Sequence, residues 1–324
     1  MPKRHREILC PEITDPKRRV FLDVVPTVRR IQNSILDMQE KTGERIDVPL
    51  EGREVTVWLH RAPGERRPVL FEFHGGGYVF GDAAADDGFC EEVCRLSGWH
   101  VAGVSYRLAP EHRFPDQLND AWEVMQWFRD HAEQYAMDSG CMAVTGFSAG
   151  GNLAAAAALK AVQEGQTWLK AQILHYPFLD FFLETDQLET FDEDIDPLLM
   201  NGFLDSFCSR EEMEDPLVSP ARASDEDIRR MIPTLLIPAE RDRLRKQGLQ
   251  YGKRLQDAGA EVICRVLPET HHCYIEDACN QELYDKTVLP EKKRQHSPHF
   301  RERAEEAVQM TAEFLRGHMS ATDT

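Results

Sequence analysis

Apolar residues recur along this chain with two different periods. In residues 1–47, Val20, Phe21, Val24, Val25, Ile31, Ile35 and Met38 fall at helix-like spacing, which predicts an amphipathic helical segment. Such a segment either docks on the core as a peripheral helix pair or forms part of a lid over a pocket. Beyond it, short apolar runs at 54–60, 69–73, 101–105, 141–145, 171–176, 234–238 and 261–266 read as strands. Between and after them, 90–96, 116–132, 152–160, 249–258 and 301–316 read as helices. Alternation of this kind predicts an α/β fold: a mainly parallel central sheet with helices on both faces.

Two segments break the alternation. Residues 180–215 are acidic and aromatic, with Phe181, Phe182, Phe191, Phe203 and Phe207. A long insert with its own apolar residues is expected to be a lid or binding element. Together with 1–47 it predicts a helical cap. Residues 280–299, rich in Lys, Arg and His, are expected to form a surface loop or a pocket rim.

Size and charge narrow the function. The chain has 324 residues, 42% of them hydrophobic, enough for one sizeable core. The expectation is one domain spanning 1–324 that carries a small cap. A net charge of -18 argues against a nucleic-acid partner, because phosphate contacts need clustered Lys and Arg. It also disfavours anionic membrane surfaces. No apolar signal-peptide core follows Lys3, Arg4 and Arg6, and no apolar run approaches a membrane span. The eight cysteines show no C-x-x-C pattern; Cys90 and Cys94, four apart, fit two free thiols on one helix face. A cytoplasmic protein with reduced thiols, no membrane and no bound metal is the expectation.

The candidate chemistry lies where strand meets helix. Gly146-Phe147-Ser148-Ala149-Gly150-Gly151 follows the strand at 141–145 and opens the helix at 152–160. Strand, tight turn and helix is the setting in which a G-x-S-x-G match marks a nucleophile. The turn is expected to strain the backbone, with Gly146 and Gly150 relieving the strain. A helix beginning at the serine points its positive end at developing negative charge. A second string, His74-Gly75-Gly76-Gly77-Tyr78, directly follows the strand at 69–73, and its consecutive glycines expose backbone N–H groups, as an oxyanion hole requires.

With Tyr106-Arg107-Leu108-Ala109-Pro110-Glu111-His112 and Ala239-Glu240-Arg241-Asp242-Arg243-Leu244-Arg245, these strings resemble the hormone-sensitive-lipase-like branch of the α/β-hydrolases. The resemblance covers most of the chain from about Val69 to the last helix. It implies an α/β-hydrolase fold and a serine esterase with an N-terminal cap, acting on esters of short or medium acyl chains without metal or cofactor. It also implies that Gly76 and Gly77 join Ala149 as oxyanion donors. The 106–112 string would be a structural turn, in which Arg107 and Glu111 either pair or stay solvated.

After the serine, such a triad needs an acid and then a histidine. Asp242 follows the strand at 234–238, and the family pattern selects it over Glu240. Its neighbours Arg241, Arg243 and Arg245 favour the ionised form. In the loop after 261–266, Tyr274 keeps the family's aromatic and registers His272, rather than His271, as the base. Glu269 and Cys273 stand where the family has glycine, and Phe147 stands where it usually has Asp or Thr. Phe147 either packs behind the turn or lines the pocket. His74 is expected to brace the glycine loop. The partner expected is a small-molecule ester; a homodimer stays open. An amidase or formamidase on the same machinery, or a ligand receptor on a catalytically dead scaffold, are the alternatives.

Overall fold

The computed structural model describes residues 16–181 and 197–318. Phe182 and Phe191 of the aromatic insert, and the first 15 residues of the expected helical segment, lie outside the described residues.

In chain order the elements begin with α1 (Pro16–Leu36), β1 (Glu44–Leu50), β2 (Arg53–His60), β3 (Arg67–Phe73), α2 (Asp87–Ser97), β4 (His100–Ser105), α3 (Asp116–Asp130), β5 (Met137–Phe147), α4 (Ala149–Gln163) and β6 (Leu169–His175). They continue with α5 (Pro197–Phe207), α6 (Asp225–Arg229), β7 (Thr234–Ile237), β8 (Ala239–Arg241), α7 (Arg245–Asp257), β9 (Val262–Cys264), β10 (Leu267–His271), α8 (Tyr274–Cys279), α9 (Gln281–Thr287), α10 (Pro290–Lys293) and α11 (Phe300–Gly317).

Eight strands form one sheet in the order β1-β2-β4-β3-β5-β6-β7-β9. β1 and β2 pair antiparallel, as do β2 and β4; every pairing from β4 to β9 is parallel. The strands divide the core by the period of two that a pleated strand imposes. In β3, Val69, Phe71 and Phe73 face one cluster while Leu70 faces the other. In β5, Met142 and Val144 face the first, and Cys141, Ala143 and Phe147 the second. α3 and α4 cover the first face; α2 and α11 cover the second. α4 is alanine-rich and buried almost all round, which lets it lie close against the sheet.

The chain leaves β3 for β4 on one side and then crosses to β5 on the other. The strand order therefore reverses between β3 and β5. In open α/β sheets the ligand crevice opens outside the carboxyl ends of the strands at such a reversal. Both candidate strings sit there: the glycines directly after β3, and Ser148 directly after β5.

The helical expectation for 1–47 is correct only in part. α1 ends at Leu36, and residues 44–47 open β1, paired to β2 with Ile46 opposite Val57 and Val48 opposite Val55. The cause is the alternation Ile46, Val48, which buries one face of a strand. Of the seven apolar residues named in 1–47, Phe21, Val25 and Ile35 are buried, whereas Val20, Val24, Ile31 and Met38 are exposed. α1 lies against α5, with the Phe21 and Phe203 rings edge to face at 5.6 Å. Gly202 gives that contact its room, since a Cβ there would strike the Phe21 ring. Arg29 of α1 donates to the Val79 carbonyl at 2.7 Å and to Glu111 at 2.8 Å. Residues 280–299, expected as a surface loop or a pocket rim, carry α9 and α10. Asn280 caps α9 by accepting from the Leu283 N–H at 3.1 Å, and Pro290 opens α10. Among the described residues, no helix is long and apolar enough to cross a membrane, and the cysteines there are free thiols, Cys90 and Cys94 buried together on α2.

Candidate active site

The turn between β5 and α4 carries its strain on the serine itself. Ser148 has φ 54 and ψ -111, an uncommon conformation for a residue with a side chain. The expectation that Gly146 and Gly150 adopt the strained angles is not met. They are glycines because the end of β3 comes too close: a Cβ on Gly150 would overlap the Phe73 carbonyl oxygen, and one on Gly146 would overlap both the Phe73 and the Gly150 carbonyl oxygens. Phe147 is fully buried behind the turn, 4.8 Å from the Phe89 ring and stacked on His175, and does not line the crevice.

Ser148, Asp242 and His272, from three separate loops, come together. The imidazole Nε2 of His272 lies 2.9 Å from Ser148 Oγ, and its Nδ1 lies 2.8 Å from Asp242 Oδ2. Asp242 is fully buried, and its other oxygen accepts the Leu244 N–H at 2.8 Å. With Nδ1 donating to a carboxylate, the neutral ring turns its lone pair at Nε2 toward the serine hydroxyl. Burial opposes a charge on His272, but the Asp242 carboxylate and its hydrogen bond outweigh that and raise the pKa well above the ordinary histidine value. Glu240 goes elsewhere: its carboxylate accepts the Glu269 N–H at 2.8 Å, and its carbonyl accepts from Arg245 at 2.8 Å.

His271 points away from the serine. Its Nε2 pairs with Asp277 at 2.9 Å and its ring stacks on His296 at 3.5 Å. The two residues that replace family glycines keep a backbone suited to glycine: Glu269 has φ 60 and Cys273 has φ 68. The loop thus retains its turns and bears the strain of side chains there.

The glycine loop meets the serine from the β3 side. Gly76 (φ 111) and Gly77 (φ 64) both use angles that favour glycine. A Cβ on Gly76 would overlap the Phe80 carbonyl, and one on Gly77 the Phe203 ring. His74 braces this loop, with Nδ1 2.7 Å from the Gly75 carbonyl and its ring stacked on Tyr106 at 4.2 Å. In the 106–112 turn, Tyr106 donates to the His74 carbonyl at 2.8 Å. Arg107 and Glu111 do not pair with one another. Arg107 is held by the buried Asp120 at 2.8 Å, and Glu111 by Arg29.

Gly76, Gly77, Ser148, Ala149 and His272 form one wall of a cavity of about 190 Å³. Leu199, Met200 and Phe203 of α5 form another, and Phe178, Phe181 and Leu244 line it further. A larger and more open hollow of about 520 Å³ runs along α7 past Arg245, Lys246 and Leu249, but none of the residues named above except Glu240 and Arg245 lines it.

Some contributors were not foreseen in the sequence. Asn152, on the first turn of α4, accepts from the Tyr78 hydroxyl at 2.5 Å and donates to the Phe178 and Val218 carbonyls at 2.7 and 2.9 Å. It ties the glycine loop to the helix behind the serine. Glu276 accepts from the Tyr176 hydroxyl beside His272. Burial raises the Glu276 carboxyl to about 7, against the lowering effect of that hydrogen bond.

The sequence pattern of the alpha/beta hydrolase fold matches residues 70–276. The chain belongs to the α/β-hydrolases, in their hormone-sensitive-lipase-like carboxylesterase branch. This hydrolase is 32% identical over 283 residues to Esterase LipI of Mycobacterium tuberculosis, covering 81% of the chain and 88% of that protein. It is 30% identical over 233 residues to an ethyl acetate hydrolase of Pseudomonas putida, covering 69% and 73%. Among solved structures, an esterase of Pyrobaculum calidifontis superposes with a TM-score of 0.73 at 28% identity, over 94% of the chain and 98% of its own. The metagenomic carboxylesterase EstE1 does so with a TM-score of 0.76 at 25% identity, over 93% and 98%.

Proposed function

We propose that this serine esterase cleaves small carboxylic esters of short or medium acyl chain through an acyl-enzyme on Ser148. Supporting this is the unbroken series from Asp242 to His272 to Ser148, opening on a cavity flanked by the glycine loop. Ser148 Oγ attacks the ester carbonyl as His272 Nε2 takes its proton. Asp242 holds the ring in the working tautomer and stabilises the imidazolium. The N–H groups of Gly76, Gly77 and Ala149 hold the oxyanion. His272 passes its proton to the departing alkoxide, and water then repeats the sequence on the acyl-enzyme, releasing the acid and restoring the serine. Within a single hydrolase domain, α1 and α5 serve as the cap: α5 roofs the acyl pocket and α1 backs α5 through Phe21. A panel of nitrophenyl esters and anilides tests the reading. Ester turnover that disappears in Ser148→Ala is expected, and anilide turnover exceeding ester turnover would favour an amidase.

Three results should follow. Gly76→Val should lower kcat by at least ~10²-fold, the scale of one lost oxyanion donor, because a Cβ at Gly76 meets the Phe80 backbone. Unchanged kcat in a folded variant would move the oxyanion site elsewhere.

The pH profile of kcat/KM should rise through His272. A raised pKa keeps the ring protonated, and unable to act as a base, to higher pH. The limb should therefore centre above the ordinary value of about 6.5 and fall about tenfold per pH unit below it. Asp242→Asn should shift the limb down. A profile flat between about pH 5 and 8 would contradict the assignment.

Phe203 and Met200 set the acyl limit. Phe203→Ala should raise the octanoate-to-butyrate ratio of kcat/KM by roughly 10-fold or more, the scale of one or more methylenes newly admitted to an apolar pocket. An unchanged ratio, or efficient wild-type hydrolysis of emulsified long-chain triglyceride, would refute the pocket assignment.

A further inference from the structure

One carboxyl that this reaction scheme leaves unused stands a single side chain away from the base. Glu276 lies four residues after His272, on the first turn of α8. Its Oε2 accepts from the Tyr176 hydroxyl. Tyr176 is 1% exposed, and its ring lies edge-on to the His272 imidazole at 5.2 Å. Glu276 Oε1 sits 3.0 Å from where a Cβ on Gly75 would be, against the glycine loop.

Tyr176 occupies a junction. It has φ 35, an uncommon angle for a residue with a side chain, and its N–H donates to the Ile237 carbonyl at 2.9 Å. The preceding residue, His175, accepts the Ser148 N–H at 3.1 Å. The ring that flanks the base thus belongs to the segment that holds the nucleophile. An apolar residue at 276 would leave the buried Tyr176 hydroxyl without this acceptor and free the ring to shift.

We propose that Glu276 is a positioning residue that anchors Tyr176 against His272 and buttresses the glycine loop at Gly75, so that base, nucleophile and oxyanion donors keep their register. This rests on the roles given above to Ser148 and His272. It acts by hydrogen-bond acceptance and packing, and Glu276 does not itself touch the reacting atoms.

The test compares Glu276→Gln, Glu276→Ala, Tyr176→Phe and the double variant Glu276→Ala/Tyr176→Phe. Two readouts are taken: steady-state hydrolysis of nitrophenyl butyrate and the rate at which a fluorophosphonate labels Ser148. Glu276→Ala and Tyr176→Phe should each lower kcat about 10-fold with little change in KM, below the ~10²-fold cost of misplacing a reacting group by about 1 Å. Glu276→Gln keeps an acceptor and should stay near wild type. The double variant should be no worse than Glu276→Ala, because the two residues act as one unit. Wild-type kcat in folded Glu276→Ala, or a rise in KM alone, overturns the inference. So does Glu276→Gln as impaired as Glu276→Ala. If Glu276→Ala does not fold, unchanged kcat in Tyr176→Phe overturns it equally. Wild-type protein whose Ser148 resists the label would refute the acyl-enzyme reading itself. Labelling of Glu276→Ala at the wild-type rate refutes only the role of Glu276.

Discussion

Ser148→Ala should lose nearly all esterase activity and keep its fold. In a serine protease, removal of the nucleophile costs about 10⁶ in kcat, and the same scale is expected here. The fold should survive because, among the described residues, the side chain of Ser148 bonds only to His272. Its backbone contacts, N–H to the His175 carbonyl and carbonyl to the Asn152 and Phe178 N–H groups, do not depend on the hydroxyl. Alanine also tolerates the turn's unusual backbone no worse than serine does. The check is kcat for nitrophenyl acetate beside a melting curve. A variant that melts like wild type and still turns over at the wild-type rate would remove Ser148 from the chemistry.

His272→Ala should be as severe, because a serine hydroxyl without a base at 2.9 Å is a poor nucleophile. The loss should again approach 10⁶-fold, since members of such a unit do not act additively. Its neighbour supplies the control. His271 is even more buried, 3% exposed against 7%, yet it faces Asp277 and His296. His271→Ala should therefore cost stability through the lost pair and stack while leaving kcat within about 10-fold of wild type, far from the loss of a triad member. A dead His271→Ala beside a working His272→Ala would reverse the assignment.

Much of this site was readable because its determinants are local. A glycine-flanked serine between an apolar run and an alanine-rich helix carries its own geometry, as do three glycines after a buried strand. Tyr274 was enough to register the histidine loop, although Glu269 and Cys273 had replaced glycine there. What the sequence did not disclose depends on residues far apart in the chain. Proximity alone sets Arg107 against Glu111, but its partner Asp120 is 13 residues away, brought in by the second turn of α3. Glu276 meets Tyr176 across 100 residues, a contact no periodicity records. β1 was hidden for a different reason. Its alternation is short, and Pro49 weakens it; that proline is tolerable because β1 is an edge strand. The short helices of 280–299 had visible caps in Asn280 and Pro290, outweighed by a charged composition that reads as loop. The role of the glycines beside Ser148 was misplaced because close approach of β3, unlike a turn, leaves no local signature.

The most direct test is to trap the acyl-enzyme. Wild-type protein mixed with excess nitrophenyl acetate and quenched in acid during turnover should, on peptide mapping, carry one acetyl group on Ser148. The same mark should be missing from Ser148→Ala and His272→Ala. Acetyl on another residue at a level matching turnover, or steady turnover in Ser148→Ala, would contradict the account.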